Sequence, residues 1–232
     1  LYAALAVEIF HNFSLVHDDI MDEAPLRRGQ PTVHTKWNLN TGILSGDTML
    51  ILAYQYFEQY EPNIFQELAK IFSKTAIEVC EGQQYDVDFE KEAQVSTDQY
   101  LKMIAYKTAV LIGAALKMGA IIAQTTEENK QQIYDFGLAL GIAYQLQDDY
   151  LDTFGDVSFG KKIGGDILQN KKTLLYLKAL EKGTPVQKQE LHTLYTTQPK
   201  DEAEKITRVT ELFVITQSHT YLREQVEIYT LK

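Results

Sequence analysis

The chain has one cysteine, Cys80, in 232 residues, so no internal disulfide framework is open to it, and such usage fits a reducing compartment. Basic residues are in deficit. Twenty-two Lys and Arg against 32 Asp and Glu give a formal charge of −10, the wrong sign for a general nucleic-acid binder. No uninterrupted apolar run reaches the roughly 18–20 residues that a bilayer span needs. The opening residues lack the basic start of a signal peptide, and Glu8 and His11 interrupt their apolar stretch. No GxxxxGK[ST] loop is present, so the lysines around Gly164-Gly165 do not argue for a nucleotide. Sustained period-two alternation is missing too. These absences leave a cytoplasmic protein with no membrane span, whose 45% apolar content can bury a substantial core, most simply as a single domain over 1–232.

The long segments have helical period. Residues 1 to about 22 place Leu5, Ile9, Phe10, Phe13 and Val16 on one face, and Pro25 and Pro31 then bracket a loop carrying Arg27-Arg28-Gly29. Helices are predicted over about 40–59, from Pro62 to about Asp88, over 97–124 behind a Ser96 N-cap, and over 125–154. A loop at 155–165 precedes three more, at about 166–181, 185–196 and 200–231. Gly46 inside the second helix costs about 1 kcal/mol of propensity, which suggests close packing against a neighbour. Gly113 and Gly119 read as small packing residues in the same sense. The predicted fold is all-α: a large helical bundle with a central active-site cavity.

Two places break the apolar pattern in the same way. Asp18, Asp19 and Asp22 end the first helix, and Asp148, Asp149 and Asp152 recur near the end of the fifth. Carboxylates four residues apart share a helix face and repel, a cost relieved by something positive. Hard carboxylate oxygens suit Mg²⁺, which accepts one or two per ion and completes its shell with water and substrate phosphate. Two such clusters suggest one shared site for a metal–diphosphate complex. A di-iron bundle would need Glu-x-x-His motifs on two facing helices, and the sequence has a single one, Glu8 to His11. Cations that suit a diphosphate lie close in sequence: Arg27 and Arg28 after the first cluster, Lys107 inside an apolar helix, and Lys161-Lys162 and Lys171-Lys172 after the second.

The combination FxLxHDDIMDxxxxRRGxPTVH, KT, GQxxD, QxxDDYLDxFGD and KxIGGDI closely resembles the trans-isoprenyl diphosphate synthases, the head-to-tail prenyltransferases, over nearly the whole chain. The resemblance implies an all-α prenyltransferase fold, usually a homodimer. It implies three Mg²⁺ ions with bound diphosphate, Mn²⁺ being a possible substitute. The substrates would be isopentenyl diphosphate and an allylic diphosphate (dimethylallyl, geranyl or farnesyl). Carried over, Asp18 and Asp22 would hold Mg²⁺ on one side of the allylic diphosphate, and Asp148, with Asp152 and Asp166, on the other; Asp19 and Asp149 would be supporting carboxylates. Arg27, Lys107 and Lys162 would contact the allylic diphosphate and Arg28 that of isopentenyl diphosphate, while Thr108, Gln145, Gln83 and Asp86 would line the reaction chamber.

At 1.5 Å per residue, Phe13 lies roughly 7–8 Å below Asp18 and Phe10 roughly 12 Å. In the family, an aromatic at the fifth position before the first motif limits elongation and one at the fourth shortens the product further. Here these positions are Phe13 and Ser14, which favours a C20 product before C15; the competing reading of Phe13 is ordinary core. The family's upstream Gly-Lys-Arg segment and its basic C-terminal end are not in this sequence, and both are expected to belong to a longer chain. A class I terpene cyclase and a non-catalytic regulatory subunit are the competing functions. The second Asp-rich motif and the RRG segment oppose the first, and intact carboxylates at all six motif positions oppose the second.

Overall fold

A computed structural model describes residues 1–92, 94–156, 163–197, 199 and 201–232. The chain divides into two compact units, one formed by Leu1–Ile77 with Gly113–Tyr134, the other by Glu78–Ile112 with Asp135–Lys232.

In the first unit, α1 (Tyr2–Met21) buries Ala3, Ala6, Phe10 and Phe13 along one stripe of 3.6-residue period, while Leu5, Ile9 and Val16 of the expected face are only half-buried. It packs along α3 (Leu39–Phe57), whose N-terminus is capped by Asn38 Oδ1 accepting from Thr41 N at 2.8 Å. Close approach is built on two glycines. A Cβ on Gly42 would come within 2.8 Å of Ile20 Cδ1, and one on Gly46 would overlap the His17 ring. The expected packing role of Gly46 is therefore met. Under α1, Phe10 meets Phe72 of α4 (Pro62–Lys91) with ring centres 5.1 Å apart, and Phe72 meets Phe57 at 5.1 Å and Tyr54 at 4.7 Å. Between α1 and α3 the chain forms a short helix, α2 (Val33–Lys36), and a small hairpin. Strand β1 (Leu26–Arg27) pairs antiparallel with β2 (Gln30–Pro31). Arg28 (φ +51°) and Gly29 (φ +75°) are both left-handed, as a two-residue I′ turn demands. The loop predicted between the prolines is thus a hairpin, and these are the only strands among the described residues.

In the second unit the expected Ser96 cap is present, and a further cap that the sequence reading did not name is found at Thr184. Ser96 and Gln99 close a capping box on α5 (Thr97–Ile104), and Thr184 and Gln187 another on α10 (Pro185–Thr196). The C-terminal end of α4 belongs to this unit, where Lys172 Nζ donates to the carbonyls of Phe89 (2.5 Å), Glu90 (3.3 Å) and Glu92 (2.5 Å), partners that a helix C-terminus needs. The core is formed by Tyr100, Ile104, Leu146, Ile167, Leu174, Leu175 and Phe213, among others.

Three departures from the sequence reading are local. The predicted 166–181 helix is two pieces, α8 (Gly165–Leu168) and α9 (Leu174–Lys182), separated at Asn170 (φ +57°). The predicted 200–231 helix is likewise α11 (Glu202–Ile215) and α12 (Ser218–Thr230), broken at Gln217 (φ +57°). There Thr216 Oγ1 donates to Leu212 O (2.7 Å) and Ser218 Oγ to Phe213 O (3.1 Å), side chains taking carbonyls at the helix end. The 97–124 helix contains a π-turn at Ala105–Ala109 between α5 and α6 (Val110–Ile122). By length and composition, Thr97–Ile122 could cross a membrane, although no unbroken apolar run exists, because Lys102, Lys107 and Lys117 are averaged with Leu, Ile and Ala. Tyr100, Ile104, Ala109, Ala114 and Met118 are buried against the protein, the pattern of a core helix.

The glycines separate into two kinds. A Cβ on Gly82 would overlap the backbone of Tyr106 and Lys107, whereas Gly119 is exposed with nothing within 4 Å, contrary to its expected packing role. Gly82→Ala should destabilise by about 1–3 kcal/mol through overpacking. Gly119→Ala should stabilise by about 0.5–1 kcal/mol through helix propensity. Urea denaturation of the two variants beside the parent checks both signs.

Candidate functional site

In the first unit the acidic cluster sits on the last turn of α1. Asp22 N donates to Asp18 O at 2.9 Å, so the two carboxylates stand one above the other. They lie at the negative end of the helix dipole, where like charge is disfavoured. Asp19 points elsewhere and is 5% exposed. The hairpin brings Arg27 back to it: Arg27 Nε lies 2.9 Å from both Asp19 oxygens and Nη2 lies 2.8 Å from Oδ1. The same Nη2 reaches 3.4 Å from Asp18 Oδ2. Burial lowers the guanidinium's proton affinity, but the Asp19 bond and the fields of Asp19, Asp18 and Asp22 outweigh it and raise its pKa. Asp19 thereby anchors Arg27 at the edge of the Asp18–Asp22 pair. Arg28, at the exposed tip of the hairpin, faces no such restraint.

Below the pair, Phe13 is 8% exposed, its ring centre 5.4 Å from Phe10 and 4.9 Å from His17. Ser14 Oγ turns back onto His11 O at 2.8 Å, leaving only a small apolar surface at that position. Phe13 is thus the top ring of the aromatic stack that continues through Phe10 to Phe72.

The helix α7 (Glu127–Phe154) starts in the first unit, where Thr126 Oγ1 accepts from Asn129 N at 3.2 Å, and its second-unit part carries Gln145, Asp148, Asp149 and Asp152. Asp149 is 4% exposed and both oxygens are engaged: Oδ1 accepts from Gln145 Nε2 at 2.9 Å and Oδ2 from the Tyr100 hydroxyl. Gln145 Oε1 in turn accepts from Thr108 Oγ1 at 3.0 Å. Asp148 is half-buried on the neighbouring face. Asp152 holds the turn that delivers Asp166. Its Oδ2 accepts from Asp166 N at 3.0 Å and its carbonyl from Gly164 N at 2.6 Å. Gly164 is left-handed (φ +78°) with Ile206 where a Cβ would go, and a Cβ on Gly165 would stand 3.1 Å from Asp152 Oδ1. The paired glycines are required by this close approach.

Lys107 occupies the π-turn, its Nζ 2.6 Å from Asp86 Oδ2 on α4. Such single π-turns inside helices recur at functional sites. Gln83, one turn before Asp86, keeps a buried Nε2 with no hydrogen-bond partner among the described residues. Lys162, expected to contact the diphosphate, lies outside the described residues. Tyr100 was missed by the sequence reading. Its signal is modest: an aromatic two helical turns before Lys107, on the buried side of the same segment.

Among the described residues, no three His, Cys, Asp or Glu side chains converge to hold a metal ion unaided. The donor set nonetheless fits Mg²⁺, whose shell takes few carboxylates and expects phosphate oxygens for the rest. Asp19 and Asp149 fit a ligand role least, since Arg27 occupies one and Tyr100 with Gln145 the other.

A helical scaffold with two Asp-rich turns, Arg27 anchored beside the first and Lys107 tied to Asp86 in the unit of the second, defines a recognisable class of all-α protein. A sequence profile of that class, Polyprenyl synthetase, matches residues 1–213, and the chain belongs to that family. It is 42% identical over 186 residues to a geranylgeranyl diphosphate synthase of Methanosarcina mazei, covering 79% of this chain and 57% of that one. A geranylfarnesyl diphosphate synthase of Natronomonas pharaonis is 41% identical over 194 residues, covering 81% and 56%. A crystal structure of a geranylgeranyl pyrophosphate synthase superposes with a TM-score of 0.95 at 52% identity, over 99% of this chain and 72% of that one. A second, from Pyrococcus horikoshii, gives 0.92 at 36%, over 99% and 70%. The all-α prenyl synthase fold expected from the sequence is thereby shown. The chain spans somewhat over half the length of these curated relatives.

Burial pushes the Asp149 carboxyl up to about 8, with the Asp166 charge adding to it and the Tyr100 and Gln145 bonds opposing. An unfolded aspartate loses its proton near pH 4. Between those values the native state binds the extra proton, so stability is greatest at the acid end and falls as pH rises. Melting of the protein in chelator should show this decline from pH 5 to 8, and Asp149→Asn should flatten it. An unchanged slope would assign the decline to other groups.

Proposed function

We propose that the protein catalyses head-to-tail condensation of isopentenyl diphosphate with an allylic diphosphate, releasing pyrophosphate and giving a short trans-prenyl diphosphate, C20 in preference to C15. The observation that carries this reading is the pairing of acid and cation in each unit. Arg27 is anchored at the edge of Asp18 and Asp22, and Lys107, tied to Asp86, sits in a π-turn bonded to the helix of Asp148 and Asp152. Carboxylates to take metal and cations to take phosphate oxygens are what a metal–diphosphate substrate asks for. Relatives named for geranylgeranyl and geranylfarnesyl products support a synthase over a cyclase.

In this proposal Asp18 and Asp22 would hold magnesium that binds the allylic diphosphate, as would Asp148, Asp152 and Asp166. Magnesium, when bound, supplies positive charge against the leaving pyrophosphate. Arg27 and Lys107 stabilise the charge that grows on the same oxygens as the carbon–oxygen bond breaks. The allylic cation is attacked by the double bond of isopentenyl diphosphate, whose diphosphate Arg28 binds. The departing pyrophosphate accepts the proton lost in the last step. Gln83, Thr108 and Gln145 line the chamber, and Lys162 adds a further contact to the allylic diphosphate. The aromatic wall of Phe13 and Phe10 keeps water from the cation and sets a floor for the tail. Homodimerisation, Mn²⁺ as a substitute metal and a cytoplasmic location are proposed on family grounds.

The test is incubation with Mg²⁺, labelled isopentenyl diphosphate and dimethylallyl, geranyl or farnesyl diphosphate in turn, followed by analysis of product length. Extension to C20 is expected. Hydrocarbon from an allylic diphosphate alone would indicate a cyclase, and no turnover a regulatory subunit. Asp18→Ala and Asp148→Ala should each lower turnover by orders of magnitude with unchanged helical circular dichroism; normal turnover in either removes that carboxylate from the site. Phe13→Ala should lengthen the product, and an unaltered distribution would return Phe13 to the role of core.

A further inference from the structure

Tyr100 is 1% exposed on α5, and its hydroxyl donates to Asp149 on α7. From Asp149 the hydrogen bonds continue through Gln145 Nε2 (2.9 Å) and from Gln145 Oε1 to Thr108 Oγ1 (3.0 Å), which adjoins Lys107 in the π-turn. The chain has a fixed sense. Thr108 donates to the amide oxygen and the amide nitrogen donates to Asp149 Oδ1 in either protonation state of that carboxyl, while Oδ2 pairs with the Tyr100 hydroxyl. Turning the Gln145 amide over would set a carbonyl against the carboxylate, so the two ends hold its orientation. Three segments of one unit are thereby tied together at a place where the helix departs from α geometry.

A π-turn is rare, and something in the fold must hold it. On one side the α4 backbone does so at Gly82, where even a methyl group would overlap Tyr106 and Lys107. From α7, the Thr108–Gln145 bond is the side-chain restraint. The geometry points to Tyr100 as a positioning residue: through Asp149 and Gln145 it fixes Thr108, and with it the π-turn that aims Lys107. Asp149 belongs to this relay, which leaves Asp148 and Asp152 as the ligands of the second cluster. The desolvation that burial imposes on both Asp149 and Tyr100 fits groups satisfied by each other rather than by a ligand.

The kinetic half of this inference rests on the synthase reading; the binding half does not. The protein, Tyr100→Phe, Thr108→Val and the double variant are titrated with magnesium pyrophosphate by calorimetry, and condensation kinetics are measured on the same samples. Each single variant should weaken pyrophosphate binding about 10- to 100-fold, the scale of leaving one buried hydrogen-bonding group without its partner. It should raise KM for the allylic diphosphate and leave KM for isopentenyl diphosphate unchanged. The double variant should be no weaker than the worse single one, because both break one chain. Losses that multiply, or binding by Tyr100→Phe within about twofold of the parent, would overturn the relay. If Tyr100→Phe does not fold, Thr108→Ser against Thr108→Val decides: the hydroxyl should rescue binding, and equal behaviour of the two refutes the relay. A parent that binds pyrophosphate without condensing refutes the synthase reading alone. A parent that binds none refutes both.

Discussion

Repulsion between stacked carboxylates is the constraint on which the first unit is arranged. Asp18 and Asp22 share the last turn of α1, at the end of the helix where the backbone dipole already disfavours negative charge. The fold does not remove this cost. It places one guanidinium at the edge of the pair and spends Asp19 to hold that guanidinium there. The remaining repulsion keeps the pair receptive to a cation. The hairpin serves this arrangement: its two left-handed residues reverse the chain directly after Arg27, and Thr32 Oγ1 to Ala24 O (2.7 Å) closes its base.

The second unit solves a similar problem with different parts. Its three aspartates divide by helix face. Asp149 turns inward to Tyr100 and Gln145, Asp152 turns to the start of α8, and Asp148 is left half-buried. Identical residue types thus do three jobs within five positions, and which does which depends on the rotation of α7 about its axis. Lysine plays an equally divided role. Lys107 pairs with Asp86, Lys172 caps α4, and Lys205 is 3% exposed with Nζ 2.5 Å from Asn170 Oδ1, bracing the bend between α8 and α9.

Much of this was legible in the sequence, for identifiable reasons. Helical period placed Phe10 and Phe13 on the buried stripe of α1, N-cap chemistry marked Ser96, and a costly glycine marked the contact at Gly46. The acidic turns stood out because charge interrupted an apolar face. What was not legible depends on three-dimensional neighbours. Gly113 and Gly119 look alike in sequence, yet a Cβ would meet Tyr134 at 3.0 Å in one case and nothing in the other. Nothing in Ala105–Ala109 announces a π-turn, since one extra residue in a turn changes hydrogen bonding without changing composition. The break at Gln217 and the I′ turn at Arg28 put non-glycine residues in left-handed geometry, against propensity, so tertiary context outweighed the local preference. Tyr100 was hidden for the opposite reason, being an aromatic where core aromatics are ordinary.

The two glycines of α3 act as a detent. With Ile20 seated over Gly42 and His17 over Gly46, α1 cannot slide along α3 without driving side chains into backbone, and the next equivalent seat is a full turn away, about 5.4 Å. The height of the Asp18 carboxylate relative to the Tyr54 and Phe57 rings of α3 is therefore a fixed length rather than an adjustable one. A lineage that altered the capacity beneath the acidic turn would have to do so by carving side chains, one ring at a time, because the helix offers no intermediate stop.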